Sequence, residues 1–287
     1  MGGARHVPGA APHSAPVKPA AGQVCNGEVR LGTVRIRFYA ELGDSLPAER
    51  RGREFDQPSA PGRTVKDLIE SLGVPHTEVD LILVNGISVD FAHHVADGDR
   101  VSVYPVFEAL DISPLNHLRP QPLRVVRFAL DVHLGRLAAY LRLAGFDSAY
   151  RNDWSDSQLV ETALAEHRII LTRDRRLLMR SVVTHGHLIR HTDPWAQLTE
   201  VLKRFDLWAS LQPFARCMVC NGLIEPADKT AVLDLLPPRT ATYYAQFWRC
   251  TGCGRVYWEG SHFRALKHRL EQATHAVKRD DSLADTS

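Results

Sequence analysis

The sequence predicts two domains of mixed α and β structure, a small α+β domain and then an α/β domain with a mostly parallel sheet, followed by a module built on four cysteines. Three observations predict this. Strand-like alternation of apolar and polar residues begins abruptly at Thr33, and short apolar strands alternate with helix-patterned segments from Leu123 onward. Two Cys-x-x-Cys pairs, Cys217/Cys220 and Cys250/Cys253, then lie 29 residues apart. A length of 287 residues suits this division, since single domains usually take about 100–200 residues.

Composition narrows the class. With 44% hydrophobic and 24% charged residues the chain is neither collagen-like nor wholly disordered, and no stretch approaches the ~20 apolar residues of a membrane-spanning helix. Residues 1–32 are rich in Ala, Gly and Pro without periodicity, so they read as a disordered leader with no apolar signal-peptide core, and a cytoplasmic location is expected. The net charge of +2 is unevenly spread: residues 33–123 hold nine Lys/Arg against fourteen Asp/Glu, and residues 124–287 hold 23 against 18. The C-terminal half is therefore the expected partner of a polyanion.

Val34, Ile36 and Phe38 alternate with Arg35, Arg37 and Tyr39 in a first strand. Thr64 caps a helix carrying Leu68, Ile69 and Leu72 up to Gly73, and Leu81–Val84 is a strand closed by the Asn85-Gly86 turn. Ile87–Phe91 returns, and Val101–Val106 follows the turn at Asp97–Arg100. This order of strand, helix, hairpin and final strand resembles the β-grasp fold of ubiquitin-like sulfur carriers of the molybdopterin and thiamine pathways. Those carriers end in an activated Gly-Gly, whereas this segment continues through Val106-Phe-Glu-Ala-Leu110, so a binding role is expected for residues 33–113 rather than sulfur transfer.

Residues 114–122 contain three prolines and read as a linker. Val125–Leu130 is an apolar strand, and Leu134, Leu137, Ala138 and Leu141 form one face of a helix ending at Gly145. Ser155 and Gln158 form a capping box for a helix reaching His167, Arg168–Leu171 is a strand, Arg175–Ser181 a short helix, and His187–Arg190 another strand. The α/β domain is expected over 123–210, the cysteine module over 211–265, and a helix with a polar tail over 266–287.

Carboxylates stand where these strands end. Asp131 follows the first strand of the domain, Asp156 opens a helix, Asp174 follows Ile169–Leu171 and Asp193 follows the last strand. Residues just past the carboxyl ends of strands in an open α/β sheet share one edge, where ligands bind. Acids gathered there repel one another unless cations lie between them, and Mg²⁺ or Mn²⁺, which take oxygen ligands, suit that place. The competing explanation is local: Asp131, Asp156 and Asp174 stand near helix starts where capping favours Asp, Asp153 suits a solvated loop, and Asp193 before Pro194 suits a turn.

The run Phe128-Ala-Leu-Asp131, then Leu134-Gly-Arg-Leu-Ala-Ala-Tyr-Leu-Arg-Leu-Ala-Gly145, then Ile169-Ile-Leu-Thr172-Arg-Asp174, resembles the Mut-seven C-terminal RNase family. The likeness continues through Pro213-Phe-Ala-Arg-Cys217-Met-Val-Cys220, Phe247-Trp-Arg-Cys250-Thr-Gly-Cys253 and Gly260-Ser-His262, covering 123–265. It implies a PIN-like nuclease domain with a C-terminal zinc ribbon, behind a ubiquitin-like module. Through that likeness Asp131 and Asp174 become metal-binding catalytic acids, Asp156 a third with Asp153 as its alternative, and Asp193 a peripheral fourth. The implied activity is Mg²⁺- or Mn²⁺-dependent cleavage of RNA.

Paired Cys-x-x-Cys knuckles offer four thiolates in the tetrahedral set that zinc prefers, and a closed set leaves no position for substrate, so Cys217, Cys220, Cys250 and Cys253 predict a structural zinc. Arg249, Arg255, Tyr257 and His262 beside the knuckles, and Arg173 beside Asp174, suit contact with phosphates and unpaired bases. The alternative to a nuclease is an adaptor that binds nucleic acid through the ribbon while the acids only cap helices. A protein partner of the ubiquitin-like domain and the oligomeric state are not legible in the sequence.

Overall fold

The computed structural model describes residues 31–105, 126–261 and 263–272. The expected leader up to residue 30, the linker over 114–122, the tail beyond residue 272, Cys25 and His262 lie outside the described residues. Among those described, no helix is long and apolar enough to cross a membrane.

The N-terminal domain is a mixed five-stranded sheet. Strands β1 (Gly32–Phe38), β2 (Glu54–Ser59), β3 (Leu81–Val84), β4 (Ile87–Ser88) and β5 (Arg100–Tyr104) lie in the order β2-β1-β5-β3-β4, with only β1 and β5 parallel. The alternation of β1 turns Val34, Ile36 and Phe38 into a core with Val65, Leu68 and Ile69 of α1 (Val65–Ser71). Thr64 caps α1 as expected, its hydroxyl accepting from the Asp67 N–H at 3.1 Å. Strand β2 was not foreseen. Its sequence, Glu-Phe-Asp-Gln-Pro-Ser, has no apolar alternation because it is an edge strand, paired only with β1, where polar residues and proline are tolerated.

The second domain holds strands β6 (Phe128–Leu130), β7 (Ser148–Tyr150), β8 (Ile169–Thr172) and β9 (Gly186–Leu188), all parallel in the order β7-β6-β8-β9. Phe128, Leu130, Ile169 and Leu171 face α2 (Gly135–Leu143) and α5 (Pro194–Arg204), while Ala129 and Ile170 face α3 (Asp156–Ala165) and α4 (Arg175–Leu178). Both faces are thus covered, which is why these strands read as unbroken apolar runs. Leu141 of α2 is fully buried, and its truncation to Ala would cost about 2–5 kcal/mol. The helix expected to reach His167 stops at Ala165, and His167 turns the chain with φ +52°. Strand β7 escaped the sequence reading because it is three residues long.

Beyond α5 lies a three-stranded antiparallel sheet, β10 (Ile224–Ala227), β11 (Phe247–Cys250) and β12 (Val256–Tyr257), with a small core of Val232, Leu236 and Phe247. A helix over residues 263–272 brings Leu270 into the core of the parallel sheet domain, and Arg269 lies over the Trp195 ring.

A buried charge cluster joins the two domains. Glu78, in the turn before β3, accepts from His187 Nδ1 at 2.9 Å, from the Leu188 N–H at 2.9 Å and from Arg190 Nη2 at 2.8 Å. On its far side His187 Nε2 meets Glu200 of α5 at 3.2 Å. Burial alone would raise the Glu78 carboxyl, but the charges of His187, Arg190 and Arg204 hold it well below the usual range. Burial alone would likewise lower His187, and Glu78 and Glu200 reverse that and raise it.

Candidate active site and metal centre

Strand order decides which acids become neighbours. Because β7, β6, β8 and β9 are parallel and in register, their ends line up with Asp153, Asp131, Asp174 and Asp193 behind successive strands, which are about 4.8 Å apart. Asp131 and Asp174 therefore close adjacent strands. The fully buried Thr172 joins them: its hydroxyl donates to Asp131 Oδ2 at 2.6 Å and accepts from the Asp174 N–H at 2.9 Å. Asp131 is itself buried, and Asp174 is exposed at the mouth of the edge.

Each of the five acids also has a local role. Asp131 accepts from the His133 N–H at 3.1 Å, Asp174 from the Arg176 N–H at 2.8 Å, and Asp193 caps α5 through the N–H groups of Trp195 and Ala196. Asp156 pairs with Arg180 at 3.0 Å, and Asp153 with Arg151 at 2.8 Å. The structure links Asp131 to the backbone of Asp174 through Thr172 at the ends of adjacent strands, and turns Asp153 and Asp156 toward arginines. Thr172, the residue linking the central pair, has no role of its own in the sequence reading, where the Thr172-Arg-Asp174 run points only to Asp174.

The four cysteines converge without reservation. Their sulfurs lie within 4.8 Å of one another, and among the described residues they are the one group of three or more His, Cys, Asp or Glu placed to hold a single ion. Cys217 and Cys253 Sγ are 3.6 Å apart, and Cys220 and Cys250 Sγ 3.3 Å, close to the ~3.8 Å separation that tetrahedral bonds of about 2.3 Å require. All four are free thiols, and the backbone N–H groups of Gly252 and Cys253 point at Cys250 Sγ. A side chain at Gly222 would start 3.0 Å from Cys250 Sγ and would push against the sulfur cluster, so glycine suits the close approach of the first knuckle. Burial pushes the Cys217 thiol up, but the Tyr257 hydroxyl and nearby N–H groups outweigh it and bring it down to about 6. That favours thiolate, the metal-binding form. The donor set therefore fits zinc.

This centre sits at the opposite end of the strands from the acids. Arg142 of α2, buried, donates to Ser148 O at the start of β7 and to Met218 O and Val219 O in the first knuckle. Asn221 accepts from the Ser148 N–H at 3.0 Å and donates to Asp147 at 2.8 Å, and Asp147 pairs with Arg168, which precedes β8. Arg142 was not singled out in the sequence, since it looks like an ordinary polar helix residue until the knuckle is docked.

The residues expected to touch nucleic acid divide. Arg173 is exposed beside Asp174. Arg249 and Arg255 are exposed on the cysteine module, Arg249 donating to Gly254 O at 3.2 Å. The Tyr257 hydroxyl meets Cys217 Sγ at 3.0 Å, so its polar end faces the sulfur cluster and only its ring lines the adjacent cavity of about 420 Å³. Trp258 packs on the module's core.

Residues 126–270 match the model of the Mut7-C RNAse domain, and residues 32–111 match that of the Mut7-C ubiquitin domain. No curated protein matches the chain.

Proposed function

Since the chain belongs to the Mut7-C RNAse family, with the ubiquitin-like domain of that family ahead of it, we propose that it is a metal-dependent endoribonuclease with a PIN-like catalytic domain and a structural zinc ribbon. The observation that carries the reading is the pairing of Asp131 and Asp174 at the ends of β6 and β8 through Thr172. Asp131 and Asp174 would hold Mg²⁺ or Mn²⁺. One or two carboxylates suffice, because Mg²⁺ keeps several waters and shares its remaining positions with substrate phosphates. Such an ion would supply a water more acidic than bulk water and a counter-charge for phosphate oxygens. Thr172 and the His133 N–H each hold one oxygen of the Asp131 carboxylate and so fix its orientation, while the exposed Asp174 accepts its cap through Oδ1 alone among the described residues. Arg173 supplies a positive charge for an adjacent phosphate. Asp193 is peripheral, and Asp156 and Asp153 join only if they leave Arg180 and Arg151, which is easy because solvent screens exposed ion pairs. Four thiolates at the other end of the sheet hold zinc and serve stability.

A second reading is favoured by the caps and ion pairs that all five acids make: a non-catalytic RNA-binding adaptor. One assay separates the two. Purified full-length chain, given labelled single-stranded RNA with Mg²⁺, with Mn²⁺ or with EDTA, cleaves internally only when divalent metal is present, and Asp174→Asn, which keeps the shape and removes the charge, abolishes cleavage while retaining the fold. Binding without metal-dependent cleavage would establish the adaptor instead.

A further inference from the structure

We propose that single-stranded RNA reaches the acidic edge through the cleft between the two domains, so that the ubiquitin-like domain forms one wall of the RNA-binding surface. The choice of RNA as occupant rests on the nuclease reading above; the cleft and its charge do not.

A cleft of about 680 Å³ opens between the end of α1, at Ser71 and Gly73, and the turn Arg173–Arg176, and Asp174 lies inside it. Gly73 ends α1 with φ +88°, and a side chain there would start 3.2 Å from Arg175 Nη1. The domains therefore approach each other closely at Gly73 and Arg175. A volume within the ~300–1,000 Å³ of ordinary small-ligand sites suits one or a few unpaired nucleotides rather than a duplex.

The charges on the two walls differ. Arg180 and Arg190 are paired with Asp156 and Glu78, whereas Arg173, Arg175 and Arg176 make no ion pair among the described residues. Three guanidinium groups within the four residues 173–176, with only the Asp174 carboxylate among them, repel one another, and a phosphate backbone relieves that repulsion. On the opposite wall the Glu70 carboxylate is held by His76 Nδ1 at 2.6 Å, and His76 Nε2 reaches Val183 O of the other domain at 2.8 Å. The Glu70 carboxylate is thereby tied to His76, and the Glu78 and His187 cluster fixes the walls relative to each other.

The test uses full-length chain and a short fluorescein-labelled single-stranded RNA in EDTA, so that binding is read without cleavage. Ser71 is exposed and its side chain bonds only to Leu68 O within its own helix, so charge can be added there without disturbing the interface. Ser71→Glu is expected to weaken binding about threefold and Ser71→Lys to tighten it about threefold at low salt, the difference fading as salt rises. Arg176→Glu is expected to weaken it about tenfold or more and to flatten the salt dependence. Ser71 variants that fold and bind like the parent, or equal affinity for a blunt RNA duplex, would overturn the proposal. Metal-dependent cleavage with unresponsive Ser71 variants sinks the cleft and spares the nuclease; responsive Ser71 variants without cleavage in any metal do the reverse.

Discussion

The Thr172 hydroxyl donates to Asp131 Oδ2 across 2.6 Å, linking the ends of two adjacent parallel strands inside a site where both residues are buried. A buried carboxylate oxygen that loses such a donor has no water to replace it. Thr172→Val, which keeps the shape and deletes the hydroxyl, is therefore expected to cost about 1–3 kcal/mol in denaturant unfolding. It should also cut RNA cleavage at least tenfold, while Thr172→Ser restores most of both. Unaltered cleavage in Thr172→Val would show that the orientation of Asp131 does not matter to the reaction.

The sulfur cluster predicts one zinc per chain, measurable by elemental analysis of freshly purified protein. Cys250→Ser should lose the ion and make the module beyond residue 210 sensitive to protease, with the N-terminal domain still folded, because such modules draw their stability from the metal. Metal-free protein with an intact module would refute it.

Docking of the module is a separate matter from its metal. Arg142→Met keeps the bulk of the side chain but leaves Ser148 O, Met218 O and Val219 O without their donor, at an expected cost of about 1–3 kcal/mol. Zinc content should stay the same while the melting temperature falls. Loss of zinc in this variant would mean that the centre cannot form undocked.

The contact between the domains should depend on pH. His187 is raised above its ordinary value of 6.5, so its contribution is complete below about 6.5 and is lost as pH climbs through the raised value. Glu200 is brought down to about 2, burial being outweighed by bonds from His187, His191 and the Arg190 N–H, so its contribution is present above its ordinary 4.5 and lost as pH falls toward about 2. Stability of the contact is thus greatest between these ranges, in weakly acid solution. His187→Ala, which strands two buried carboxylates, should cost about 3–5 kcal/mol there and progressively less in alkaline solution. A melting-temperature deficit that is equal at both ends of this pH range would exclude a charged His187.

Most of the scaffold could be read in order along the chain. The β1 alternation, the apolar β6 and β8, the Ser155 capping box and the cysteine spacing all announce themselves within a few residues, because a period, a cap or a knuckle is a local pattern. Edge strands β2 and β7 did not, since what makes them strands is the neighbour they pair with. The acids were legible as positions after strands, yet the same positions satisfied helix capping. Nothing local distinguishes an Asp that only caps from one that also faces a neighbouring Asp.

By itself the sequence determined the element order, the two mixed α/β domains and the thiolate set, for these depend on separations of a few tens of residues at most. Only the tertiary structure joined the two domains, through Glu78 and His187, 109 residues apart in sequence and buried against each other where no pattern of spacing links them. Strand order likewise put Asp131 beside Asp174 and sent the sulfur cluster to the far end of the sheet. Parallel strands are ordered by crossover helices packing on both faces, and that packing is a property of the whole core rather than of any segment.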